Sequence, residues 1–113
     1  MQKKYDKNNV FYKILKKELP STVIYEDDKV LCFKDINPQA PIHLLVIPKA
    51  EYICFDDFVA NSSSEDIAYF FKKVQEIAKS QGLSDADYRI VANCGEGAGQ
   101  IVHHFHIHIM GYK

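Results

Sequence analysis

Near the end of the chain His104, His106 and His108 alternate with Phe105, Ile107 and Ile109. On an extended strand that alternation sends the apolar side chains to one face and the imidazoles to the other, with second neighbours about 6.6 Å apart. On a helix each step of two residues would rotate the side chain by about 200°, and the rings could not share a site. A row of neutral imidazoles can ligate zinc or copper. It can also act on an electrophile, one ring as nucleophile or base and its neighbours fixing the tautomer and handling charge. The bland alternative is a histidine-rich surface strand, which residues this apolar between the histidines disfavour.

Gly95, Gly97 and Gly99 directly precede this stretch. Glycine-rich turns mostly just turn, but alternate glycines also let backbone N–H groups converge on an anion, a nest suited to a phosphate oxygen. A dedicated metal site has no need of such a nest, so the juxtaposition favours phosphoryl chemistry. His43 sits in the apolar run Ile42-His43-Leu44-Leu45-Val46-Ile47. It reads either as a satisfied core histidine or, if that strand neighbours the C-terminal one, as a further member of the row. Asp35 is a plain loop carboxylate or an acceptor for a ribose diol. Phe11, Ile14, Phe33 and Ile36 read as core or as the wall of a base pocket.

Positioning these residues requires a sheet. Residues 1–9 are polar and read as a frayed start. Val10, Phe11, Ile14 and Leu15 then recur at helical spacing after the candidate N-cap Asn9, and Pro20 stops the pattern. Residues 22–25 and 30–33 form a hairpin around Glu26-Asp27-Asp28. Asp35-Ile36-Asn37-Pro38-Gln39-Ala40-Pro41 is an ordered loop, and residues 42–47, ended by Pro48, suit a central strand covered on both faces. One short helical turn fits residues 54–59. The longest helix begins at Ser62-Ser63, where Glu65 and Asp66 supply a capping box; Ile67, Phe70, Phe71, Val74, Ile77 and Ala78 form its apolar stripe, and Gly82 ends it. Residues 88–92 add a strand before the glycine loop. The expectation is one α+β domain over residues 1–113, with about five mostly antiparallel strands, a short N-terminal helix and one long central helix.

Composition narrows the class. The 113 residues carry a net charge of -1, so bulk electrostatics give no reason to expect nucleic acid or anionic lipid as a partner. No signal-peptide pattern opens the chain and no run reaches the roughly 18 apolar residues of a membrane span. Cys32, Cys54 and Cys94 are odd in number and widely spaced, which suits a reducing, intracellular setting rather than a disulfide scaffold.

The segment Gln100-Ile101-Val102-His103-His104-Phe105-His106-Ile107-His108-Ile109-Met110 resembles the histidine-triad (HIT) motif, H-φ-H-φ-H-φ-φ with φ apolar. Residues 11–14, 26–28, 35–41, 43–49 and 88–93 are similar to the Hint branch of that family, so the likeness runs through nearly the whole chain. It implies the HIT-like fold and a nucleotide-binding hydrolase that cleaves the P–N bond of purine nucleoside phosphoramidates, adenylyl-lysine among them, releasing AMP or GMP. It implies catalytic roles for His106 as nucleophile, for His104 and His43 in orienting it, and for His108 at the phosphate and leaving amine. Nucleotide contacts carried over are Phe11, Ile14, Phe33 and Ile36 at the purine, Asp35 at the ribose, and Asn93, Gly99, Gln100, Ile101, His106 and His108 around the phosphate. No metal or other cofactor is implied. The expected partners are the purine nucleotide and a second copy of the chain, and the expected location is the cytoplasm, with the nucleus as an addition. Ile101 stands where Hint-branch members often have serine, His103 should face away from the triad, and the sequence stops at Gly111-Tyr112-Lys113 without the tail that tunes leaving-group choice in relatives. Rival readings are a dinucleoside polyphosphate hydrolase, a histidine-rich metal-binding module and a weakly catalytic interaction protein.

Overall fold

The computed structural model describes residues 4–112. Five strands form one antiparallel sheet in the order β1-β2-β3-β5-β4, with β1 Val23–Glu26, β2 Val30–Lys34, β3 Ile42–Pro48, β4 Tyr88–Val91 and β5 Ile107–Gly111. Three helices accompany it: α1 Val10–Leu15, α2 Phe55–Asn61 and α3 Ser64–Ser80. This is the α+β architecture read from the sequence. The hairpin β1–β2 closes on Asp27, whose Oδ1 accepts the N–H groups of Lys29 and Val30 while Oδ2 accepts the Tyr25 and Tyr69 hydroxyls. α3 starts at Ser63, whose Oγ accepts the Asp66 N–H, so the capping signal is realised at the second of the two serines. It stops where Gly82 takes φ 77°, a conformation that costs glycine nothing.

β3 lies at the centre and is buried along almost its whole length. Strand alternation splits its side chains between two apolar clusters. Leu44 and Val46 join Val30, Cys32, Phe105, Ile107 and Ile109 beneath α3. Leu45 and Ile47 join Leu31 and Phe33 on the opposite face, where α1 supplies Phe11 and Ile14. Gly111 ends β5 against Leu83, and a Cβ there would stand 2.5 Å from Leu83 Cδ2, so any side chain at this position would push the buried Leu83 side chain out of place.

Two expectations need correcting. The β5 ladder begins at Ile107, so His104 and His106 lie in the segment leading into the strand rather than on it. The in-and-out alternation nonetheless persists, because Phe105 is already anchored in the α3 cluster, stacked 4.7 Å from the Phe58 ring, and its N–H donates to the Tyr52 carbonyl. Of the N-terminal segment read as frayed, residues 1–3 lie outside the described residues. From Lys4 onward it packs: Asn9 Nδ2 donates to the Asp6 carbonyl, Asn9 Oδ1 caps α1 at the Tyr12 N–H, and Tyr5 reaches the triad.

Candidate active site

A cleft of about 710 Å3 opens on the α1 face of the sheet, within the size range of sites for nucleotide-sized ligands. Phe11, Ile14, Phe33, Asp35, Ile36, His43, Asn93, Gly99, Ile101, His106 and His108 all line it, so most of the residues singled out in the sequence are brought together. Phe11 stands edge-on to both Phe33 and the His106 ring, at 5.3 and 5.0 Å between centroids, giving an aromatic wall next to an imidazole. Ile36 and Ile101 are almost wholly exposed at the mouth.

The row of rings is His43, His108 and His106. Register explains it: His43 faces Met110 and Leu45 faces His108 across the β3–β5 ladder, which makes His43 and His108 diagonal neighbours on one face. His43 Nε2 lies 2.9 Å from His108 Nδ1, and the His106 and His108 ring centroids are 5.1 Å apart. His104 departs from the expected row. Its ring is fully buried behind the cleft, between the Pro48 carbonyl at Nε2 and the Tyr5 hydroxyl at Nδ1, and it meets His106 through its backbone carbonyl.

Hydrogen-bond partners assign the tautomers. The His104 carbonyl can only accept, so His106 Nδ1 carries the proton and its Nε2 keeps a lone pair. The Gln39 N–H can only donate, so His43 Nδ1 is bare and His43 Nε2–H donates to His108 Nδ1, which leaves the proton of His108 on its own Nε2. The Pro48 carbonyl likewise places the His104 proton on Nε2, and the Tyr5 hydroxyl donates to Nδ1. The cleft thus holds a ring with a free lone pair beside a ring with a free N–H. Burial pushes the His104 pKa down to about 4 and lowers that of His106. Burial, with repulsion from His106 and His43, brings His108 to about 4. All three are therefore neutral at pH 7, the state a nucleophilic imidazole requires. Asp35 Oδ1 accepts the Asn37 N–H at 2.8 Å and Oδ2 lies 3.4 Å from His43 Nε2, so the carboxylate keeps acceptor capacity for another donor.

Two expectations about the glycine loop fail. Glu96–Ala98 forms a single 3-10 turn, in which the Ala98 N–H donates to Gly95 O, Gly99 N–H to Glu96 O and Gln100 N–H to Gly95 O. These three amides are engaged inside the loop, and the Gly99 N–H in particular is unavailable to a phosphate. What Gly99 contributes is its φ of 93°, which turns the chain past the Asn93 side chain. Gln100 does not line the cleft either: its buried amide accepts from the Gly95 N–H and donates to the Ile53 and Val102 carbonyls. His103 also stays out of the cleft and pairs with Glu96 at 3.4 Å.

Sequence reading missed Tyr5, Gln39 and Pro48, which hold the histidines. Backbone donors and acceptors leave no trace in residue type, and Tyr5 lies in a polar stretch with no periodicity to mark it. Among the described residues, the donor atoms of Asp35, His43 and His108 lie within 4.8 Å of one another and form the one group with metal-ligand chemistry, and no helix is long and apolar enough to cross a membrane.

Comparison with known proteins follows the same lines. The HIT domain family model matches residues 16–113. An uncharacterized HIT-like protein of Rickettsia prowazekii is 50% identical, the match covering 96% of this chain and 91% of that one. A 14 kDa zinc-binding protein of Zea mays is 44% identical over 94% of this chain and 83% of that one, and the adenylylsulfatase HINT1 of Arabidopsis thaliana 40% identical over 94% and 72%. The crystal structure of a HIT family hydrolase from Legionella pneumophila superposes with a TM-score of 0.87 at 42% identity, covering 94% of each chain. With its sheet, its histidines and these matches in agreement, this chain belongs to the HIT family, in the Hint-like branch and among the hydrolase-like, nucleotide-binding proteins of that group.

Proposed function

We propose that this protein is a purine nucleoside phosphoramidase, hydrolysing the P–N bond between a nucleoside monophosphate and an amine such as the ε-amino group of lysine. The observation that carries this reading is the pairing of His106 Nδ1–H with the His104 carbonyl at 2.7 Å, which leaves Nε2 as a neutral nucleophile at the cleft. Nε2 attacks the α-phosphorus as the P–N bond breaks, giving a nucleotidyl-imidazolium whose charge the His104 carbonyl offsets. The departing nitrogen takes a proton from water while His108 Nε2–H supports it. The oxygen of that water ends on phosphorus in the second step, which releases the nucleoside monophosphate and restores neutral His106. With the Gly99 N–H engaged within the loop, Asn93 and His108 hold the nonbridging oxygens. Asp35 takes the ribose hydroxyls, and the purine lies between Phe11, Ile14, Phe33 and Ile36. Ile101 contributes no hydroxyl at the leaving group, so release of the amine relies on His108 and solvent.

The test is release of AMP from an adenosine phosphoramidate. His106→Ala is expected to abolish it while AMP still binds; robust turnover by that variant would refute the assignment. The partner of this reading is a second copy of the chain, since β4 is an edge strand with Tyr88 38% and Ile90 51% exposed. Its three cysteines, held as thiols, suit a reducing cytoplasm.

A divalent-metal reading has Asp35, His43 and His108 behind it, and the maize relative carries zinc binding in its name. Two nitrogens on one tetrahedral zinc stand about 3.3 Å apart. His43 Nε2 and His108 Nδ1 are 2.9 Å apart with a proton between them, so an ion has to displace that proton and spread the rings. The donor set fits zinc only in that altered state. Chelator is therefore expected to leave phosphoramidase activity unchanged and added zinc to inhibit it; activity lost on chelation and restored by zinc would favour the metal reading.

A further inference from the structure

Cys54 and Cys94 take no part in the chemistry above, yet they meet. Cys54 is buried at the position preceding α2, Cys94 is half-buried between Asn93 and Gly95, and the Cys94 thiol adds to burial in raising the Cys54 pKa. The backbone holds them there independently. The Gln100 amide accepts from the Gly95 N–H at 2.9 Å and donates to the Ile53 carbonyl at 2.7 Å, clamping the residue next to Cys94 to the residue next to Cys54. Cys32 is enclosed in the sheet core, so the pairing is unambiguous.

We propose that Cys54 and Cys94 form a redox modification site, closed by low-molecular-weight disulfides, whose closure displaces Asn93 at the rim of the cleft. The effect on turnover rests on the phosphoramidase reading; the site itself does not. In the first step the half-buried Cys94 thiolate attacks one sulfur of the small disulfide and expels its partner as a thiol. Cys54 then loses its proton to solvent and attacks the Cys94 sulfur, expelling the second small thiol. The protein loses two hydrogens and two electrons, and one disulfide becomes two thiols. Burial raises the Cys54 pKa, so the second step is expected to quicken as pH rises.

The direction of movement follows from packing. A disulfide brings the sulfurs to about 2.05 Å, well inside the separation of two thiols in contact. On the Cys54 side the chain is fixed by buried Ile53 and Phe58 and by the Ile53 N–H bond to Asp57. On the Cys94 side it is a glycine-punctuated loop carrying Asn93 and Gly99, both of which line the cleft. The loop gives way, and misplacement of a positioning group by about 1 Å can cost up to about 100-fold in rate.

The experiment treats the full chain with glutathione disulfide. Peptide mapping is expected to show a Cys54–Cys94 link with Cys32 still free, and the crystal structure of the oxidised protein to show Asn93 displaced relative to His106. AMP release from an adenosine phosphoramidate is expected to fall at least severalfold and to recover with dithiothreitol. Cys54→Ser puts a good capping residue before α2, so it folds; it is expected to match the wild type when reduced and, under the oxidant, to stop at a Cys94 mixed disulfide with no internal link. Failure of the link to form, or a link to Cys32, overturns the site. A link that leaves Asn93 in place overturns its coupling to the cleft. Both readouts stand even if no phosphoramidate proves to be a substrate.

Discussion

Leu44, Val46, Ile107 and Ile109 point to one face of the sheet, and His43, Leu45, His106 and His108 to the other, although they alternate along β3 and along β5 with the residue that leads into it. The first face is covered by α3, whose 17 residues span about 26 Å. The second is covered by α1, whose 6 residues span about 9 Å, and the uncovered remainder is the cleft. The long helix makes a dry apolar layer in which Phe58, Phe70 and Phe105 pack ring on ring. The short one leaves polar groups lining a cleft, with His43 and His106 held by backbone partners and His108 by His43. Stability and chemistry are thus assigned to opposite sides of a shared scaffold, and substitutions should separate them.

The largest contrast is expected from His106→Ala, which removes the nucleophile. Turnover should fall by at least about 10,000-fold while the denaturation midpoint barely moves. The mirror case is Phe70→Ala under α3, expected to cost about 3–5 kcal/mol in chemical denaturation while turnover per folded molecule stays within severalfold. A large stability loss in the first variant, or a collapse of rate in the second, would break the division between faces. Acid should unsettle the cleft side. Unfolded, His104 titrates near 6.5 and folded near 4, so between these values the unfolded chain binds more protons. Stability is full above about pH 6.5 and is lost as pH falls toward 4, by on the order of 3 kcal/mol for this group. Urea titrations at stepped pH read this directly, and a midpoint flat from pH 7 to 4.5 would contradict it. The smallest effect belongs to Tyr5→Phe, which removes the hydroxyl donating to His104 Nδ1. It should cost about 1 kcal/mol at neutral pH and make the acid loss smaller and complete at a higher pH, because without a donor at Nδ1 the folded ring protonates more readily.

Period-2 alternation made the two faces legible in the sequence, and the apolar 42–47 run placed the central strand. Asn9, Ser63 and Gly82 marked helix ends because capping is a property of residue type. The cleft was legible wherever its residues are chemically distinctive: the histidines, Asp35, and the aromatic positions. It was not legible where backbone does the work. Gly95, Gly97 and Gly99 read as a nest, but whether amides face outward or bond within the loop depends on conformation, and here the Gly99 N–H closes the 3-10 turn and the Gly95 N–H goes to the Gln100 side chain. Gln100 read as a phosphate neighbour through its place in the motif, whereas its amide satisfies buried backbone groups. His104 shares its residue type and spacing with His106; the fold tells them apart by engaging both ring nitrogens of His104 away from the cleft and leaving His106 Nε2 at it.

Mixing the protein with an adenosine phosphoramidate, quenching at alkaline pH within the first turnovers and mapping the peptides by mass tests the central claim most directly. The account predicts a transient adenylyl group on His106, absent in His106→Ala and lost in step with AMP release. An adenylyl group on another residue, or AMP released by the wild-type protein with no adduct at a time resolution faster than turnover, would contradict it.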